Sequence, residues 1–147
     1  MLGFQVQDSA MTLAQGLAEY YSRYPLLRRG EALSEPAQDF FRCHDVAHIV
    51  FGCDTSLPNE AVVKLSSLFG TTAGLSVLRG YALYDSLDIY RKLPLGEVLT
   101  TIAASVIIVP RTILRRLRQR KRWPWSGFSE FLDTPLRDIR REFGIYV

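Results

Sequence analysis

The chain has 147 residues, which fits one domain with a real core comfortably and two domains poorly. Hydrophobic residues make up 48% and charged residues 22%, which excludes a disordered or collagen-like chain. The net charge of +3 hides an asymmetry: Arg111 to Arg122 carries seven cations and no acid, and without it the remainder is about −4. One basic segment on a mildly acidic chain argues against wrapping by nucleic acid, and no nucleic-acid partner is expected.

Helical signals run in chain order. Asp8 or Ser9 can cap a first helix reaching about Tyr24, with Met11, Ala14, Leu17, Ala18 and Tyr21 on one face. Pro25 ends it, and Arg28 to Leu33 reads as a polar link. Ser34 followed by Pro36 starts a helix that runs to about Phe51 and stops at Gly52. Pro58 and Asn59 open the next, which ends or kinks at Gly70 and Thr71. A Leu- and Tyr-rich helix follows from about Ala73 to Arg91. Pro94 starts another, which extends through an apolar run into the basic segment, with Pro110 expected to kink or split it. Trp123, Pro124 and Trp125 form an irregular stretch, and a last helix spans about Thr134 to Phe143, closed by Gly144. The expected fold is all-α: a single compact domain of about six helices over residues 1–147.

The N-terminal stretch carries no basic residue before Arg23, which argues against a secretory or Arg-rich transit segment. Cys43 and Cys53 make no disulfide framework, and a reducing compartment is expected. The longest uncharged apolar run, Val98 to Val109, would span about 18 Å as a helix. A bilayer core needs about 20 residues, so a buried or membrane-dipping helix fits better than a transmembrane one.

The chain's two histidines, His44 and His48, are four apart in a predicted helix, so both imidazoles share one face. Asp45 borders the same patch, and Glu60 opens the next helix twelve residues after His48. Two imidazoles with one or two carboxylates form a donor set for zinc, and equally for iron or manganese. The plain alternatives are a surface histidine pair and a Glu60–Lys64 ion pair along one helix. The zincin pattern fails because Asp45 stands where it needs glutamate, and the His-Asp phosphohydrolase pattern fails because no histidine precedes His44.

HDVAH followed by eleven residues and Glu60 resembles the HDxxH-x11-E signature of the ubiquinone-biosynthesis family known as coenzyme Q biosynthesis protein four. Gly52 sits where that family has a glycine, and EAVVK (Glu60 to Lys64) resembles the opening of its next helix. PLRDIRREFGI, from Pro135 to Ile145, is similar to its closing helix. The resemblance implies metal ligands at His44, Asp45, His48 and Glu60, with zinc as the usual ion. It further implies an all-helical protein lying peripherally on a membrane, on its cytoplasmic face or on the mitochondrial inner membrane. A polyprenylated quinone precursor and other quinone-biosynthesis proteins are the implied partners. The implied reaction is an oxidative decarboxylation at ring carbon one, a lyase-type step in which Asp45 or Glu60 would move protons. The implied alternative is a non-enzymatic prenyl-lipid-binding scaffold that organises other enzymes of the route.

The lipid reading asks for an apolar channel and a surface for anionic lipid. Leu75, Leu78, Leu83, Leu87, Ile102, Val106 and Ile107 are expected either to line a tunnel or to fill the core, and the mean hydropathy of +0.04 agrees. Arg111, Arg115, Arg116, Arg118 and Arg120, followed by Trp123 and Trp125, are expected to contact headgroups. A homodimer is expected from the size of the domain and its apolar surface.

Overall fold

A computed structural model describes residues 1–25, 34–84 and 95–147, with the side chains at 83, 84, 95 and 97–102 left aside. The expected polar link at 28–33, Leu87, and the continuation of the fourth helix to Arg91 lie outside the described residues. So do the side chains of Leu83 and Ile102. Among the described residues there are six α-helices and no strand: α1 (Leu13–Arg23), α2 (Glu35–Val50), α3 (Leu57–Gly70), α4 (Val77–Tyr84), α5 (Leu95–Leu117) and α6 (Leu136–Phe143). The expectation of an all-α fold is met.

Local chemistry sets most helix ends. Ser34 and Pro36 start α2, and Gly52, at φ +69°, turns the chain out of it. Pro58 lies in the first turn of α3. Gly144, at φ +68°, ends α6. The first cap differs from expectation. Thr12, not Asp8 or Ser9, caps α1 in a reciprocal box with Gln15, at 3.2 Å and 2.9 Å. The residues before it form a short 3-10 turn, Gly3–Gln5, whose Phe4 enters the core. The inward face of α1 is accordingly rotated: Leu13, Gly16 and Tyr20 are buried, whereas Ala14 and Ala18 are exposed. Gly16 permits this, because a Cβ there would stand 2.6 Å from a methyl of Ile49.

The core joins α1, α2 and the C-terminal segment through Leu13, Tyr20, Val46, Ile49, Leu136 and Ile139. Backbone bonds stitch the chain ends together: Leu13 donates to Thr134 at 3.1 Å and Leu136 to Met11 at 2.8 Å. α3 packs along α5. A short 3-10 turn, Gly74–Ser76, precedes α4 where a continuous helix was expected. α5 is continuous through Pro110, so the expected split does not occur. Pro110 lies on the exposed face, where the carbonyl that loses its partner meets water. Among the described residues, no helix is long and apolar enough to cross a membrane.

Candidate metal centre

α2 presents His44 and His48 one turn apart, with ring centroids 4.7 Å apart and nearly perpendicular. The loop of Gly52 to Ser56 returns the chain so that Glu60, in the first turn of α3, faces them. The Glu60 carboxylate lies 3.6 Å from His44 Nε2 and 3.2 Å from His48 Nε2. One donor atom from each of the three residues lies within 4.8 Å of the others. Both Nε2 atoms are buried and lack a hydrogen-bond partner. Buried polar atoms without partners are costly. Around a tetrahedral zinc ion with bonds of about 2.0–2.1 Å, donors stand about 3.3 Å apart. The trio therefore has the donor types, spacing and unsatisfied lone pairs to hold a metal ion, and its residues fit such a group. The Glu60–Lys64 alternative is not realised: Glu60 pairs with the histidines, and the Lys64 ammonium lies over the Tyr81 ring at 4.9 Å.

The surroundings fix the trio. His48 is fully buried against Tyr20, with ring centroids 5.4 Å apart, and its Nδ1 lies 3.2 Å from the Cys53 carbonyl oxygen. Phe40 stacks parallel to His44 at 6.5 Å, and Tyr81 meets His44 edge-on at 5.6 Å. Gly80 makes room for Phe40, since any Cβ there would overlap the ring. Phe40 also walls a cleft of about 500 Å³ lined with Asp39, Arg42, Cys43, Trp125 and Phe128.

Asp45 is not part of the trio. Its Oδ2 accepts the Tyr21 hydroxyl at 2.8 Å, and its Oδ1 lies 3.9 Å from His44 Nδ1, the ring nitrogen that does not face Glu60. Neighbouring positions on a helix point in different directions, which separates Asp45 from the edge of His44 that faces Glu60. Burial pushes the Asp45 carboxyl up from the usual carboxylate range, against the opposing pull of His44 and the Tyr21 bond. Burial would raise Glu60 too, but the two imidazoles beside it outweigh burial and hold it well below its ordinary value.

The expected headgroup residues divide. Trp123 is 0% exposed and Arg116 is 4% exposed, so neither is available to a headgroup. Trp123 is drawn in because its backbone bonds to Gly70 and Thr72 at the end of α3 and its ring packs on Phe131 and Phe143. Arg116 donates to the Tyr146 carbonyl at 2.7 Å and lies over the Phe51 ring. Arg111, Arg118 and Arg120 are exposed, and Arg115 and Trp125 are half-buried. The expected tunnel residues Leu75, Leu78, Val106 and Ile107 are at the surface, 75%, 49%, 75% and 69% exposed, neither core nor tunnel wall. Among the described side chains of α5 the buried positions are Thr112 and Arg116, on a different side from Val106 and Ile107.

Sequence reasoning did not single out Tyr20, or Tyr21 and Phe40 as neighbours of the histidines. The i, i+4 spacing of Phe40 and His44 was a usable signal, whereas nothing local links Tyr21 to Asp45 across 24 positions. No family model, curated protein or solved structure matches the chain.

Proposed function

We infer that this chain is a metal-dependent protein of ubiquinone biosynthesis that binds a polyprenylated quinone precursor at the His44–His48–Glu60 centre. The reaction is an oxidative decarboxylation at ring carbon one. The observation that carries the reading is the pair of buried, unpartnered Nε2 atoms converging on one carboxylate. It joins the order and spacing of the HDVAH and Glu60 motif.

In the net change the bond from ring to carboxyl breaks and a ring–oxygen bond to a hydroxyl forms. With water as the oxygen source, carbon dioxide, two protons and two electrons leave, the electrons passing to dioxygen or to a redox partner. A divalent metal held by His44, His48 and Glu60 would supply Lewis acidity to an oxygen of the ring's carboxylate. Glu60, held ionised, would neutralise part of the ion's charge. Tyr20, Tyr81 and Phe40 keep water from the imidazoles.

A peripheral membrane position is part of the reading. Val106, Ile107, Leu114 and Leu117 are exposed on one face of α5, with the exposed Arg111 and Arg118 beside them. Such a face suits shallow insertion into anionic lipid.

The test is turnover of a short-chain prenylated 4-hydroxybenzoate by metal-loaded protein on anionic vesicles, followed by mass spectrometry. The ring-hydroxylated, decarboxylated product is expected, and it should vanish in His48→Ala and Glu60→Gln. Folded, metal-free His44→Ala that still supports quinone production in cells would defeat the enzyme reading in favour of a scaffold.

A further inference from the structure

An oxygen acceptor lies on the Nδ1 side of each imidazole of the trio. At His48, the Cys53 carbonyl 3.2 Å from Nδ1 can only accept, so Nδ1 is the donor to it and Nε2 is the nitrogen that faces Glu60. At His44, Asp45 Oδ1 occupies the matching place, 3.9 Å from Nδ1. That is an ion-pair distance rather than a hydrogen bond. The other oxygen of Asp45 is taken by the Tyr21 hydroxyl at 2.8 Å. This 7%-exposed residue thus has one oxygen toward Nδ1 and the other held by Tyr21, while Nε2 meets Glu60.

We propose that Tyr21 and Asp45 are positioning residues that act through His44 from outside the coordination sphere. The centre is then a two-histidine, one-carboxylate site with coordination positions free for an oxygen-donor ligand. This rests on reading the trio as a metal centre. An oxygen acceptor behind a ligating imidazole fixes its tautomer and orientation and raises its basicity. Tyr21, brought from α1, fixes the acceptor in turn. Closed four-ligand sites are structural, whereas three protein ligands leave room for water or substrate. The set of two histidines and one carboxylate is also the one that suits iron(II) with open positions. The ligand class that follows is an anionic oxygen donor such as an aromatic carboxylate, for which salicylate is a chelating probe.

The experiment uses the full chain as wild type, Tyr21→Phe, Asp45→Asn and Glu60→Gln, with cobalt(II) as the metal and salicylate as the probe ligand. Long-range proton–nitrogen spectra report the histidine tautomers of the metal-free protein. Wild type should bind one cobalt ion, and salicylate should change its visible spectrum. Tyr21→Phe and Asp45→Asn should still bind one ion, about 10–100-fold more weakly. In both, the ring-nitrogen shifts of His44 should move while those of His48 stay in place, a selectivity that general loosening of the fold would not give. Glu60→Gln should lose stoichiometric binding. Folded Asp45→Asn that loses the metal as completely as Glu60→Gln would make Asp45 a fourth ligand and overturn the proposal. So would a cobalt spectrum indifferent to salicylate, or variants with unchanged affinity and ring-nitrogen shifts. Wild type that binds no cobalt overturns the metal reading itself. The tautomer spectra, which need no metal, then show separately whether Tyr21 and Asp45 hold His44.

Discussion

Arg140 of α6 donates through Nη2 to the Ile49 carbonyl at 2.8 Å, next to His48 in the last turn of α2. Its Nε takes the Val50 carbonyl at 3.0 Å, and further bonds reach Phe4 and Val6. A cation at a helix C-terminus complements the dipole and satisfies carbonyls that have no helical partner. One side chain, 1% exposed, thus joins the N-terminal turn, the histidine helix and the closing helix.

Arg140→Ala should therefore leave several buried carbonyls unpaired and cost at least about 3 kcal/mol. Thermal unfolding should show a Tm fall of roughly 10 °C. Arg140→Lys should recover only part, because one ammonium cannot span the same set of acceptors. A Tm within 2 °C or so of wild type would contradict this account.

Metal removal should be visible in stability. At about 100-fold excess over Kd, a metal that binds only the folded chain adds about 2.7 kcal/mol. A chelator should lower Tm accordingly in the wild type. It should leave the Tm of His48→Ala and Glu60→Gln unmoved, as measured by scanning calorimetry.

Gly52 links backbone geometry to the centre. Its φ of +69° disfavours a side chain, and a Cβ would lie 2.8 Å from that of Val147. Gly52→Ala should cost about 1–3 kcal/mol in denaturant unfolding. It should also weaken metal binding, since displacing Cys53 removes the acceptor that orients His48.

The cysteines set an alkaline limit. Burial pushes the Cys43 thiol from its ordinary 9.0 up to about 11, and the Cys53 thiol up to about 12. Above pH 9 the unfolded chain releases these protons while the folded chain keeps them, so stability falls as pH rises from 9 toward 12. Cys53→Ala should flatten that slope in denaturation curves taken between pH 8 and 10.5. An unchanged slope would assign the alkaline loss elsewhere.

The basic segment should behave as two classes in vesicle binding. Arg111→Gln and Arg118→Gln should each weaken binding to anionic vesicles by about 1 kcal/mol and reduce its salt dependence. Val106→Asp with Ile107→Asp should weaken it without lowering Tm, because both side chains are exposed. Arg116→Gln should instead lower Tm, since it strips the Tyr146 carbonyl and the Phe51 ring of a partner whose own guanidinium is buried.

The sequence by itself determined the helix ends at Ser34, Gly52, Pro58 and Gly144, and it placed two imidazoles on one face with Glu60 at the next helix start. Those features are local: a proline's missing N–H, a glycine's tolerance of positive φ, and the 3.6-residue period act within a few positions. Tertiary structure alone decided what crosses between helices. It turned α1 so that Tyr20 meets His48 and Tyr21 captures Asp45, removing the shorter carboxylate from the trio. It drew Trp123 and Arg116 inward from a stretch that reads as surface, and it left Val106 and Ile107 outside. Helix rotation and register are set by how whole faces interlock. Periodicity names two neighbouring faces of a helix almost equally well, and only the packed partner, such as Ile49 against Gly16, selects between them.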